Sequence, residues 1–211
     1  LSNMYDHLAA HENFTFLPRT TAVTILTDEN GVTGAQMQRG QETFSIHAKK
    51  VVAAPGRGGA QWLSQSCEGL GLEKMNNEVD IGVRVEVPNA VMDHLTRHLY
   101  EAKLVYYSDT FENKVRTFCM NPGGVVSGEY YEDGLAVVNG HSYAEAERRT
   151  ENTNFAMLVS TRFTQPFNEP IAYGQHIAKV GNMLTGGGIM VQRLEDLLMG
   201  RRTTWSRLAK S

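Results

Sequence analysis

Only two cysteines, Cys67 and Cys119, occur in 211 residues. Two are too few for a disulfide framework, and these lie too far apart in sequence to act as a chelating pair, so both are expected to be buried thiols in a reducing, cytoplasmic setting. No apolar run approaches the roughly 20 residues a membrane-spanning helix needs, so no membrane partner is expected. Neither sign of charge dominates. The formal net charge is -3, and the only basic cluster, Arg201, Arg202 and Arg207, lies near the C-terminus, so nucleic acid is not expected as a partner. The sequence has no H-E-x-x-H, paired C-x-x-C, P-loop or G-x-S-x-G string, so no metal site is assigned, and phosphoryl transfer and serine hydrolysis lose their usual signatures. An initiator methionine is missing too: the chain opens Leu1-Ser2-Asn3-Met4-Tyr5 and closes Ala209-Lys210-Ser211. It is expected to be an internal piece of a longer protein.

What is present is an ordinary globular composition, 41% hydrophobic and 20% charged. Met4, Leu8 and Ala9 share one face of a short helix. Phe14 and Phe16 read as a brief strand. Thr20 to Leu26, Val32 to Met37 and Thr43 to His47 are three strands separated by turns at Asn30-Gly31 and Arg39-Gly40, a meander. Val51-Val52-Ala53-Ala54 is a continuous apolar run, the pattern of a strand covered on both faces of a parallel sheet. A helix over Ala60 to Leu70 follows the turn Pro55 to Gly59.

From Asp80 the pattern changes. Ile81, Val83, Val85 and Val87 alternate with Gly82, Arg84 and Glu86, which places the four apolar side chains on one interior. A helix over Val91 to Tyr100 follows. Short strands over 104–107, 115–120, 125–130, 135–138 and 155–163 are joined by turns such as Asn121-Pro122-Gly123-Gly124 and Glu132-Asp133-Gly134. Regular short strands of this kind predict a closed or strongly curved antiparallel sheet. Helices over 171–184 and 190–199 end the chain.

Two motifs leave a choice open. Gly56-Arg57-Gly58 supplies two positions of a dinucleotide fingerprint, but Gln61 occupies the third, so the segment reads either as a cofactor-contacting turn or as a plain strand-to-helix turn. Gly186-Gly187-Gly188 reads either as an anion site at a helix start or as a flexible connection.

The meander followed by Lys49-Lys50-Val51-Val52-Ala53-Ala54-Pro55-Gly56 is similar to a stretch of FAD-dependent oxidoreductases of the two-dinucleotide-binding type. Further strings occur in order: Asp80 to Glu86, Tyr100 to Lys103, Val115 to Pro122, Val138 to Ser142, Glu151 to Ala156, Val191-Gln192-Arg193 and Gly200-Arg201-Arg202. Together they resemble the uncharacterised FAD-dependent dehydrogenases, flavoproteins with an inserted barrel-like substrate domain. Pro55 stands where that pattern has threonine, which removes a hydroxyl and an N–H.

The resemblance implies an α+β chain: residues 1–64 as part of a split FAD-binding Rossmann domain (helix, meander and one sheet strand), and 65–211 as an antiparallel barrel-like substrate domain with C-terminal helices. It implies FAD in the full-length parent, none retained by this chain alone, and the missing N- and C-terminal parts of the same protein as partners. Ala22 is placed beside adenine, and Ala54, Pro55 and Gly56 beside ribose or pyrophosphate. A small-molecule substrate is expected near Arg84, Arg116, Asn139, His141 and Asn154, where an arginine fork holds a carboxylate. No residue is assigned a catalytic role. For Arg84 the alternative is an outward residue of an alternating strand, and for His141 a turn histidine. The rival for the whole chain is a stand-alone, non-catalytic binding or interaction module.

Overall fold

The computed structural model describes residues 2–99, 101–131 and 134–210. The turn residues Glu132 and Asp133, and Tyr100 at the expected end of a helix, lie outside them. Two compact units divide the chain, Leu1–Lys74 and Met75–Ser211.

The first unit opens with α1 (Ser2–Ala9) and continues as an antiparallel meander of β1 (Thr21–Asp28), β2 (Gly31–Arg39) and β3 (Glu42–His47). The β1–β2 turn closes where expected: the Asp28 carboxylate accepts from the Asn30 N–H at 2.8 Å, and Gly31 takes φ 120°. Gly34 has a packing role, because a Cβ there would meet the Ile46 carbonyl oxygen at 2.0 Å. α2 (Ala60–Gly69) follows.

Two expected strands of this unit are not formed. Phe14–Phe16 has no ladder partner and runs into Pro18. Val51–Ala54 is irregular, with Val52 90% exposed. The run has the composition of a doubly covered strand, but a strand exists only through pairing, and no parallel neighbour is present for it among the described residues.

The second unit is built on a four-stranded antiparallel sheet of order β4-β9-β6-β5, from β4 (Val79–Pro88), β5 (Val105–Tyr107), β6 (Lys114–Asn121) and β9 (Asn152–Thr161). A hairpin of β7 (Val125–Tyr130) and β8 (Ala136–His141) forms a separate ladder. The α+β class, the meander and the antiparallel domain with C-terminal helices all hold. The sheet does not close into a barrel. Its edge strand β5 is three exposed residues long, and four strands fall short of the roughly eight that enclose a packed interior.

One face of the sheet packs on α3 (Asn89–Thr96), where Met92, Ala102, Met120 and Phe155 form a core joined by Val85, Val87 and Leu95. α4 (Pro170–Leu184) covers the other end of β4, its Gly174 lying against Val79 and Ile81. Between the two helices Val83 stays 64% exposed, so the four alternating apolar residues share a face without sharing one interior.

α4 is fastened to β8 by Asn182, which accepts from the Ala136 N–H at 2.9 Å and donates to its carbonyl at 2.8 Å. The Gly186–Gly188 run is the terminus of α4, not the start of a helix: Thr185 Oγ1 and Asn182 Nδ2 both donate to the Gly188 carbonyl. The last helices are α5 (Leu194–Leu198), shorter than expected, and α6 (Trp205–Leu208). Neither cysteine is buried; Cys67 and Cys119 are half-exposed free thiols.

Candidate functional site

The register of the four-stranded sheet sorts the expected substrate residues. Gly82 lies opposite Leu158, which lies opposite Arg116; Arg84 opposite Ala156, then Phe118; and Glu86 opposite Asn154, then Asn121. Alternate residues share a face, so Arg84, Arg116 and Asn154 stand on the face turned away from the α3 core. The strand pattern carries this much.

At one end of that face a buried polar cluster forms. Arg84 Nε and Nη2 donate to Asn154 Oδ1 at 2.9 and 2.6 Å, and Nη2 also donates to the Cys119 carbonyl at 2.6 Å. Asn121 Nδ2 donates to the same carbonyl at 2.8 Å and accepts, through Oδ1, from Ser142 Oγ at 3.2 Å. Asn154 is wholly buried, and its Nδ2 is a buried donor without a hydrogen-bond partner among the described residues. Arg84 is half-buried and held, so the outward-facing alternative for it does not apply.

Two backbone features build the cluster. β6 carries a bulge between Phe118 and Asn121, and Cys119 within it has φ 48°. A left-handed non-glycine residue is strained. Here it turns its carbonyl toward Arg84, while its N–H donates to Glu101 Oε1 at 2.9 Å. Above the cluster β8 passes so closely that a Cβ at Gly140 would lie 2.0 Å from Arg84 Nη2 and 2.1 Å from Asn154 Oδ1. The sequence gives no sign of either feature, because both arise from contacts between segments distant along the chain.

The neighbours of Gly140 are the other expected residues. Asn139 pairs with Ser127; its Oδ1 accepts from the Gly140 N–H at 2.8 Å, and its Nδ2 donates to Glu129 at 3.4 Å. His141 is exposed at the end of β8, opposite Val125. Arg116 stands apart from the cluster. Its Nη2 donates to Asp80 Oδ2 at 2.6 Å and its guanidinium lies 4.9 Å from the Phe118 ring centre.

A buried carboxylate was missed in sequence. Asp196 is wholly buried in α5 and accepts from Arg201 Nε at 2.6 Å and Thr203 Oγ1 at 3.0 Å, with Arg193 and Arg207 each at 3.9 Å. Burial pushes its carboxyl up. The hydrogen bonds from Arg201 and Thr203 and the Arg201 and Arg207 charges outweigh it and hold the group below the usual carboxylate range. The basic cluster near the C-terminus therefore has an internal anion to serve.

In the first unit, Ala22 is half-buried on β1, while Ala54, Pro55 and Gly56 are exposed in the turn before α2. Trp62 joins the two regions, its Nε1 donating to the Val23 carbonyl at 2.9 Å. The first turn of α2 is thereby fixed at the residue next to Ala22. Pro55 is folded back on Gly59, where a Cβ would meet its ring at 2.3 Å. Gly56, with φ 65°, and Gly58 leave open space where side chains would stand, and no side chain caps α2. Bare glycine backbone leading into an uncapped helix start is the surface a dinucleotide's sugar–phosphate stretch packs against, so these residues fit such a group.

Comparison with known proteins bears on both units. Residues 1–81 match the FAD binding domain pattern. Residues 78–210 match the pattern described as FAD-dependent protein, C-terminal domain-like, and the chain belongs to that family, whose cofactor is FAD. An uncharacterized protein of Clostridium beijerinckii is 30% identical, with 59% of this chain and 26% of the relative aligned. The chain thus spans about a quarter of that relative's length. Among the described residues no helix is long and apolar enough to cross a membrane, and no group of three potential metal ligands converges.

Proposed function

We propose that this chain is part of an FAD-dependent oxidoreductase, a dehydrogenase of an unidentified small molecule. Its first unit contributes to the wall of the cofactor site and its second binds substrate. The observation that carries the reading is the glycine turn 55–59 and uncapped α2, docked on β1 by Trp62, within a stretch matching an FAD binding domain. Bound FAD supplies the redox chemistry; the residues here bind, orient and exclude water.

In this reading Ala22 lines the adenine end, and Ala54, Pro55 and Gly56 offer backbone to the ribose or pyrophosphate. Arg84 and Asn154 form the floor of the substrate face, Asn139 and His141 flank it from β8, and Arg116 stands farther along. Because Arg84 is committed to Asn154 and the Cys119 carbonyl, its part is to hold the floor in shape. Arg116 stands outside the Arg84 cluster, with Asp80 fixing its orientation.

The chain alone is proposed to be inactive and cytoplasmic, with the remaining parts of the parent as its partners. A substitution in the full-length parent tests the division of labour between the units. Arg116→Ala is expected to weaken substrate binding, read as a raised KM, while leaving FAD affinity unchanged. Equal loss of both, or no change in either, removes Arg116 from the substrate face.

A further inference from the structure

The far end of the polar face holds a cleft of about 560 Å³, within the range of small-molecule sites, roughly 300–1,000 Å³. Every residue lining it is polar or charged. Three of them are cations, Lys114, Arg116 and Arg162, and two are carboxylates, Glu78 and Asp80, so the lining carries 3 − 2 = 1 positive charge in excess. The ion pairs show where that excess resides. Arg162 Nη2 lies 3.0 Å from Glu78 Oε1, and Arg116 Nη2 lies 2.6 Å from Asp80 Oδ2. The second oxygen of Asp80 accepts from Ser160 Oγ at 2.7 Å. Both carboxylates are thus spent on an arginine. Lys114 has no ion-pair partner among the described residues, and it sits one position before Val115, the partner of Val159, which sets it beside Ser160.

We infer that this cleft binds a small, polar monocarboxylate, with Lys114 Nζ as its counter-charge. Three points select the class. A lysine ammonium is a compact point charge with three rotatable donors, suited to a single anionic head. A phosphate monoester carries about 1.5 to 2 negative charges at neutral pH, which overshoots the one uncompensated cation and meets Glu78 and Asp80 as like charges. No apolar side chain lines the cleft, so an apolar body gains nothing from burial there. Hydroxyl or amino groups near the carboxylate find hydrogen-bonding partners instead, among them the lining residue Asn77. The inference deepens the proposed substrate face, since Arg116 lines this cleft too, and it is separable from the redox reading because binding here needs no flavin.

The test is a titration of the isotopically labelled 211-residue chain with sodium glycolate, its uncharged relative glycolamide, and inorganic phosphate, each at constant ionic strength. Glycolate is expected to give saturable shifts of the Lys114, Arg116 and Ser160 amides at millimolar concentration. Glycolamide should give none, and phosphate should bind more weakly. Lys114→Gln should weaken glycolate binding by about tenfold or more, while Lys114→Arg keeps it, with unchanged far-ultraviolet circular dichroism in both. Equilibrium dialysis of radiolabelled glycolate against the full-length parent and its Lys114→Gln variant should show the same difference. Equal binding of glycolamide, phosphate as tight as glycolate, no saturable shift, or full binding by Lys114→Gln would each overturn the assignment.

Discussion

At the scale of single residues, Gly140 is the position where one added methyl group does most. Its Cβ would overlap the Arg84 guanidinium and the Asn154 amide oxygen, and both partners are already fixed by hydrogen bonds. Gly140→Ala is expected to destabilise the second unit by about 1–3 kcal/mol, the usual cost of overpacking, seen as a lower denaturant midpoint. Unchanged stability would mean that β8 does not lie over Arg84. Arg84 and Asn154 were singled out in sequence as polar residues in unusual strings, and the alternation set the face of Arg84; Asn154 lay just outside the expected strand 155–163, and its place on the same face comes from the register. That Arg84 is committed, that Cys119 is left-handed and that Gly140 forms the lid were not legible. Each depends on which strands meet, and nothing local in Val138 to Ser142 records that.

Elements were legible where a periodicity repeats for long enough. The meander, β4 and α4 stand within a few residues of their expected bounds, because each carries several turns or alternations of pattern. Val51–Ala54 failed for the opposite reason: its composition describes an environment, and no neighbour here supplies it. α5 was read too long because Met190 and Val191, though apolar and helically spaced from Leu194, remain exposed and irregular.

Two element-scale predictions follow from the side-chain ties. Trp62→Phe removes the bond to Val23 and should cost about 1 kcal/mol, with faster hydrogen exchange in the first turn of α2; unaltered exchange there would contradict the docking. Asp196 is the anchor of the C-terminal segment. Its folded-state carboxyl titrates below the ordinary value of 3.8. The stability it contributes is therefore complete above that value and is lost as pH falls below it through the depressed one. Asp196→Asn should loosen residues 192–207 at neutral pH, and should remove the acid-induced loosening expected of the native chain as pH falls through the depressed value. Equal exchange protection in the two proteins at pH 7 would show that the arginines do not depend on this carboxylate.

Across the molecule as a whole, Val52, Met75, Met183, Leu198 and Trp205 are each at least 79% exposed. The family and the α+β class were legible from ordered strings alone, while the absence of barrel closure became visible only from the strand order.

These residues are proposed to form one wall of an FAD site and not the whole of it. On that proposal Ala22 and the 54–56 turn contact only part of a dinucleotide, and those contacts must offset an association cost of about 4–15 kcal/mol. The direct measurement is an absorbance scan of the purified 211-residue chain for flavin bands, followed by titration with FAD, beside the full-length parent treated identically. A colourless chain without measurable FAD binding and a yellow parent are expected. A yellow chain, or micromolar binding by it, would place the cofactor site mostly within these residues, and a colourless parent that takes up no FAD would contradict the flavin reading itself.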